Sequence, residues 1–143
     1  MRIGLNSRLD TIQAAVLLPK LKAFKEYELK KRNEVAQRYT DALKEKYQVP
    51  VVPEGIISSW AQYTLLLENE EERNALQAKL QAEGVPCMVY YPKPLHQQTC
   101  YKHLGYEDGS LPNSEKASKC VLSLPMSPWV TEEDQNKVVD TLI

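Results

Sequence analysis

The sequence is sparing with the residues that reveal a function at once. Its three cysteines, Cys87, Cys100 and Cys120, are an odd number with no C-x-x-C pair. That argues against a disulfide framework and fits a reducing compartment. Neither sign of charge is in surplus: 18 Lys and Arg stand against 19 Asp and Glu, a net charge of −1. Nucleic acid is a poor match as the main partner, because binding a phosphate backbone needs excess Lys and Arg. Long apolar runs are also missing. The longest near the N-terminus, "AAVLL", is far short of a membrane span or a signal-peptide core, so the expected location is the cytoplasm, with no membrane partner. There is no G-x-S-x-G, no P-loop and no G-x-G-x-x-G. Acid pairs such as Glu71–Glu72 and Glu132–Glu133 fall in first turns of predicted helices, where they serve the helix dipole. No lysine stands in an evident apolar pocket, and no catalytic residue is assigned.

Phenylalanine occurs once, whereas tyrosine occurs eight times. Tyrosine suits half-buried pockets and interfaces, where one edge of the ring meets a polar group. With 43% hydrophobic and 26% charged residues in 143, the chain can bury a real core as a single domain. From residue 7 to about 46 the pattern is helical. Leu9, Ile12 and Val16 mark one face, then Leu17, Leu21 and Phe24, with Val35, Tyr39, Ala42 and Leu43 resuming the stripe. Ser7 is the expected N-cap, and Pro19 predicts a kink or a junction of two helices. "YQVPVVPEG" reads as an edge strand or extended connection, "SWAQYTLLL" as a buried strand, and "NEEERNALQAKLQAEG" as a helix between Asn69 and Gly84. A short strand over "VPCMVYYP", a helix over "LPNSEKASKC", a strand over "VLSLPM" and a helix capped by Thr131 follow. The order predicts an α+β fold: a long kinked N-terminal helix, then a small, mostly antiparallel sheet packed with helices.

Three groups of residues carry candidate chemistry. Asn6 and Arg8 sit two apart at a helix entry, where N–H groups and the dipole favour an anion and Arg supplies a planar fork. The plain alternative is a turn residue and a surface charge. In "YYPKPLHQQTCYKHLGY", Tyr90 and Tyr91 lead into P-x-P, followed by His96, Gln97 and Gln98. A rigid backbone bearing aromatic, amide and imidazole groups suits recognition of a polar ring such as a sugar. Alternatively, the prolines simply end a strand and the tyrosines pack at its edge. The loop from Pro92 to Pro112 is long, as functional loops are. Third, His96, Cys100 and His103 are spaced by four and three, which on a helix gives one face of metal-ligating types. No fourth ligand is near in sequence, and a short helix with Cys100 buried is the plainer reading; no metal site is assigned.

Four stretches in one order carry a family resemblance: "GLNSRLDTIQAAVLLPKL", "WAQYTLLL", "GVPCMVYYPKPLHQQ" and "VLSLPMSPWVTEED". Together they resemble the carboxy-terminal part of the DegT/DnrJ/StrS family of PLP-dependent sugar aminotransferases, and above all its members that aminate C3 of UDP-linked keto-hexuronic acids or related UDP-ketosugars. The resemblance covers nearly the whole chain. It implies the small α+β domain of a fold type I aminotransferase over 1–143, with 1–46 as a helical lead-in and interface segment. It implies pyridoxal 5'-phosphate as cofactor of the full-length enzyme, held mainly by an N-terminal domain not matched here, and a homodimer with shared sites. It further implies an amino donor, expected to be glutamate, and a nucleotide-sugar substrate in surface-polysaccharide or cell-envelope synthesis. The Asn and Arg of the family's N-x-R motif match Asn6 and Arg8, by the cofactor phosphate, with Arg8 also by the substrate. Tyr90, Tyr91 and His96 match positions by the nucleotide sugar. Relatives often carry His where this chain has Tyr90. The Schiff-base Lys belongs to the unmatched domain, so this chain alone is expected to be inactive. Two alternatives remain: a freestanding, non-catalytic dimerisation or binding module, and a small metal-binding protein using His96, Cys100 and His103.

Overall fold

The computed structural model describes residues 8–143 and has the expected α+β architecture. Helix α1 (Thr11–Ala23) is followed by a π-helical turn, Phe24–Glu28, and then by α2 (Leu29–Leu43). Ser7 lies outside the described residues, and the cap of α1 is Asp10, whose side chain accepts the Gln13 N–H at 2.8 Å. Pro19 does not break the helix. It lies inside α1, where the Ala15 carbonyl loses its usual donor; Ala15 is exposed, and water can supply one. The irregularity comes one turn later, as the π turn.

No residue of α1 is buried. Ile12 and Val16 share one side, Leu17 and Leu21 another, and Leu18 a third. All five are exposed, Ile12 by 79% and Leu18 by 69%. The apolar character therefore runs around this helix: Ile12 and Val16 share the face expected of them, and leucines occupy other sides. By contrast, α2 buries Val35, Ala36, Tyr39 and Leu43. Ala42, expected on this face, points outward.

Strands β1 (Tyr63–Leu66) and β2 (Val121–Leu124) pair antiparallel, with Tyr63 opposite Leu124 and Leu66 opposite Val121. Single bridges extend the sheet on both sides, Gln48 to Leu66 and Met88 to Ser123. The strand expected over residues 85–92 is reduced to the second bridge. Pro86 and Pro92 lack the N–H groups that a ladder needs. Helix α3 (Glu70–Ala82) starts at Asn69, which accepts the Glu72 N–H at 2.9 Å. It stops in a Schellman turn: Val85 N–H bonds the Leu80 carbonyl and Gly84 N–H the Gln81 carbonyl. That turn requires the positive φ of +72° that Gly84 adopts. Helix α4 (Pro112–Cys120) runs directly into β2. Helix α5 (Glu132–Leu142) carries a capping box between Thr131 and Asp134.

The core lies between the two strands and α2, α3 and α5. Tyr39, Tyr47, Trp60 and Tyr63 are buried in it among leucines and valines. The rings of Tyr39 and Tyr63 are 5.1 Å apart and those of Trp60 and Tyr63 5.6 Å apart. Trp60 has φ +48°, a conformation that costs a non-glycine residue about 1–3 kcal/mol. Four hydrogen bonds hold the turn. Arg32 donates to the Trp60 carbonyl (3.0 Å), the indole N–H to Asn33 (3.0 Å), Asn33 to the Ser58 carbonyl (3.2 Å), and Trp60 N–H to the Ser58 hydroxyl (3.2 Å). The N-terminal part of α2 thereby shapes the approach to β1.

Burial separates two leucine-type positions sharply. Leu122→Ala, at a fully buried site in β2, is expected to cost about 2–5 kcal/mol. Ile12→Ser, on exposed α1, is expected to stay within about 0.5 kcal/mol in the isolated chain. Urea midpoints of the two variants against the parent check the contrast.

Candidate functional site

The Pro92–Pro112 loop is not without structure. It contains two 3-10 turns, Leu95–Gln97 and Thr99–Leu104, and with the end of the 85–92 segment and the start of α4 it encloses a cleft of about 600 Å³. The cleft brings together three of the residues singled out in the sequence: Tyr90, Tyr91 and His96. Tyr90 and Tyr91 are exposed, and their rings meet edge to face at 5.7 Å. Tyr101 and Tyr106 face the same space, with Lys93 and Ser114 among the polar groups of its wall. Apolar and aromatic walls with few polar groups are usual for a small-molecule site.

The fourth candidate lies elsewhere. Arg8 is exposed, just before α1, and is not among the residues lining the cleft. Asn6 lies outside the described residues. The anion site expected at the start of α1 meets a local obstacle, because Asp10 places its own carboxylate on one of the N-terminal N–H groups, that of Gln13.

His96 is buried, at 8% exposure. Its Nε2 lies 3.1 Å from Oε1 of Glu115, a residue of α4. Tyr106 packs on the same imidazole edge to face, 6.0 Å between ring centres. Glu115 does more than pair with His96. Both of its oxygens accept the Gly109 N–H, at 2.9 and 2.8 Å, and Oε1 also accepts the Leu111 N–H at 3.2 Å. These donors, Gly109 first, then Leu111 and His96, hold its carboxyl below the usual carboxylate range against the opposing effect of desolvation. Beside it, the Gln97 amide donates to Asp108 at 2.9 Å. The loop of residues 105–111 is thus fastened over the cleft wall by side chains from either end.

Glu115, Tyr101 and Tyr106 were not anticipated as site residues. For Glu115 a signal existed. Pro112 at the start of α4 followed by an acid in its first turn puts a carboxylate where it can reach back to the N–H groups just before the helix. The metal alternative does not assemble. His96 and Cys100 sit in different 3-10 turns, and His103 Nδ1 lies 3.0 Å from the Cys100 carbonyl. Cys100 itself is half-buried, where burial was expected. Among the described residues no three His, Cys, Asp or Glu could hold a metal ion. Likewise, among the described residues no helix is long and apolar enough to cross a membrane.

A model of the DegT/DnrJ/EryC1/StrS aminotransferase family matches residues 1–143. A UDP-2-acetamido-2-deoxy-3-oxo-D-glucuronate aminotransferase of Pseudomonas aeruginosa is 44% identical over 131 residues, which cover 91% of this chain and 34% of that protein. Among solved structures, a DegT DnrJ EryC1 StrS aminotransferase from Brucella abortus is 51% identical with a TM-score of 0.85, over 99% of this chain and 37% of its own. DesV of S. venezuelae, solved in complex with a ketimine intermediate, has a TM-score of 0.87 at 31% identity, over 97% of this chain and 37% of its own. The chain therefore spans about a third of the length of the relatives it matches.

The depressed carboxyl of Glu115 sets a pH dependence. Its folded value lies below its unfolded one, so its contribution to stability is complete above the ordinary carboxylate range near about 4 and is lost as pH falls through the lower folded value. Glu115→Gln is therefore expected to be less stable than the parent at neutral pH, with the gap closing in acid. Urea midpoints of both proteins across that range check this.

Proposed function

The chain belongs to the DegT/DnrJ/EryC1/StrS aminotransferase family, and from that premise we propose that residues 1–143 are the C-terminal portion of a PLP-dependent enzyme that aminates a nucleotide-linked ketosugar. The observation that carries the reading is the cleft. The positions matched to substrate contact, Tyr90, Tyr91 and His96, converge on one aromatic-walled space of about 600 Å³, room for a sugar with its base. The relative in Pseudomonas aeruginosa bears a UDP-ketosugar in its name, which favours a UDP-linked substrate. In this reading the tyrosine rings stack on the ligand and His96 addresses its polar edge.

In this reading the cofactor is held mainly outside the described residues. A phosphate needs an open cradle of N–H groups or cations, and the start of α1 is capped by the Asp10 carboxylate. Asn6 and Arg8 are assigned to the edge of a site completed by another part of the protein, and that part supplies the Schiff-base Lys. When bound, the cofactor would act as the electron sink for amino-group transfer. This chain's share is to hold the nucleotide sugar and to close one side of the space around it. A cytoplasmic homodimer taking its amino group from glutamate and serving surface-polysaccharide synthesis completes the proposal.

The exposed apolar circumference of α1 supports a partner on that helix, since a helix that is apolar all round belongs in an interior. A second copy alone would suit a freestanding dimerisation module. The rest of an aminotransferase, with a second copy beyond it, suits the first reading.

Two measurements test these assignments. The purified chain is incubated with pyridoxal 5'-phosphate, reduced with borohydride and mapped by mass spectrometry. No specific adduct is expected; a stoichiometric adduct on one lysine would place the reaction centre in this chain and overturn the division of roles. In parallel, UDP-N-acetylglucosamine binding is followed by NMR, and Tyr91→Ala is expected to weaken it roughly three- to tenfold, the scale of one aromatic contact.

A further inference from the structure

Glu115 accepts three donors from three different places: the Gly109 N–H, the Leu111 N–H and His96 Nε2. An ionised carboxylate has lone pairs and no hydrogen to give. Each partner must therefore donate. Gly109 and Leu111 do so with backbone N–H groups. His96 can do so only if Nε2 carries a hydrogen. A neutral imidazole has one N–H for its two nitrogens, so Nδ1 is then a bare acceptor. Among the described residues Nδ1 makes no hydrogen bond. His96 is also a wall residue of the cleft.

We infer that Glu115 is the positioning residue of this cleft. It fixes His96 in the Nε2–H form, with Nδ1 left as a hydrogen-bond acceptor for a ligand hydroxyl or N–H, and it pins the 105–111 loop that carries Tyr106 against the same ring. The two tasks depend on one another. The imidazole is held from one side by the carboxylate and from another by the edge of Tyr106. Tyr106 in turn stays in place because Gly109 and Leu111 are tied to that carboxylate. Glu115 acts on a ligand only through these groups. A carboxylate on the far nitrogen of a histidine is a general way to select its tautomer and orientation. The assignment of the ligand as a sugar rests on the proposed function; the tautomer and the pinned loop do not.

The test uses the 143-residue chain labelled with nitrogen-15. Long-range proton–nitrogen spectra at a pH of about 8, above the ordinary imidazole range, report which His96 nitrogen is protonated. The expected result is Nε2–H with bare Nδ1. In Glu115→Ala the preference should fall to that of a free imidazole, with the Nδ1–H form appearing beside Nε2–H, and the Gly109 and Leu111 amides should exchange roughly ten- to a hundredfold faster, the scale of a hydrogen bond to a charged group. Signals of Leu65 and Leu122 in the core report whether that variant folds. A protonated Nδ1 in the parent chain overturns the inference whether or not the variant folds. So does a folded Glu115→Ala with unchanged tautomer and amide exchange. Titration with UDP-N-acetylglucosamine separates the two claims. A shift of His96 Nδ1 supports both. The stated tautomer without any response to this probe upholds the role of Glu115 and counts against the nucleotide-sugar reading.

Discussion

A phenol taken into a small core must find a partner for its hydroxyl, and most of this fold follows from how that demand is met. The aromatics in this core are tyrosine and tryptophan, set among leucines and valines, with no phenylalanine. Tyr39 donates to the Pro125 carbonyl at 3.1 Å, Tyr63 shares a 2.9 Å bond with Thr40, Tyr47 donates to Leu142 at 2.8 Å, and the Trp60 indole donates to Asn33 at 3.0 Å. Each bond joins separate parts of the chain: α2 to the exit of β2, β1 to α2, the end of α2 to the end of α5, the entry of β1 to α2. Burial raises the pKa of Tyr39, Tyr47 and Tyr63, so these groups remain neutral donors. Apolar packing alone would hold the same elements together, but it would leave them freer to slide.

The same logic extends to polar groups between helices. Gln135 is almost fully buried in α5. Its amide donates to the Val35 carbonyl at 2.9 Å, and its oxygen accepts from Arg38 Nε. Lys46 donates to the Leu142 and Ile143 carbonyls, satisfying the last turn of α5. The helices are thus registered by directed bonds at both ends of their contact.

The sequence was most legible where structure is decided locally. Asn69, Gly84 and Thr131 mark helix ends because their side chains or backbone freedom act within a few residues, and each does what its identity implies. The two strands were legible from their apolar alternation. The segment around Met88 was not: its strand-like composition is overruled by prolines that deny it donors. On α1 the expected face holds Ile12 and Val16, and further leucines satisfy helical spacing on other sides. Among the residues lining the cleft, Tyr90, Tyr91 and His96 were visible because they flank the P-x-P segment. For Glu115 the reach back to the N–H groups before α4 was marked locally, but its partner His96 lies 19 residues away across a loop, and no local pattern encodes that pairing.

The π turn at Phe24–Glu28 has a mechanical consequence. Among the described residues helix α1 makes its dense contacts only with this turn, so five residues set the direction in which the element leaves the body. With 13 residues, α1 is a rod of about 20 Å. A change of about 10° at the turn would swing its far end by roughly 3 Å, more than the tolerance of a hydrogen bond. The orientation of Arg8 is therefore governed by leverage at a point far from it in sequence.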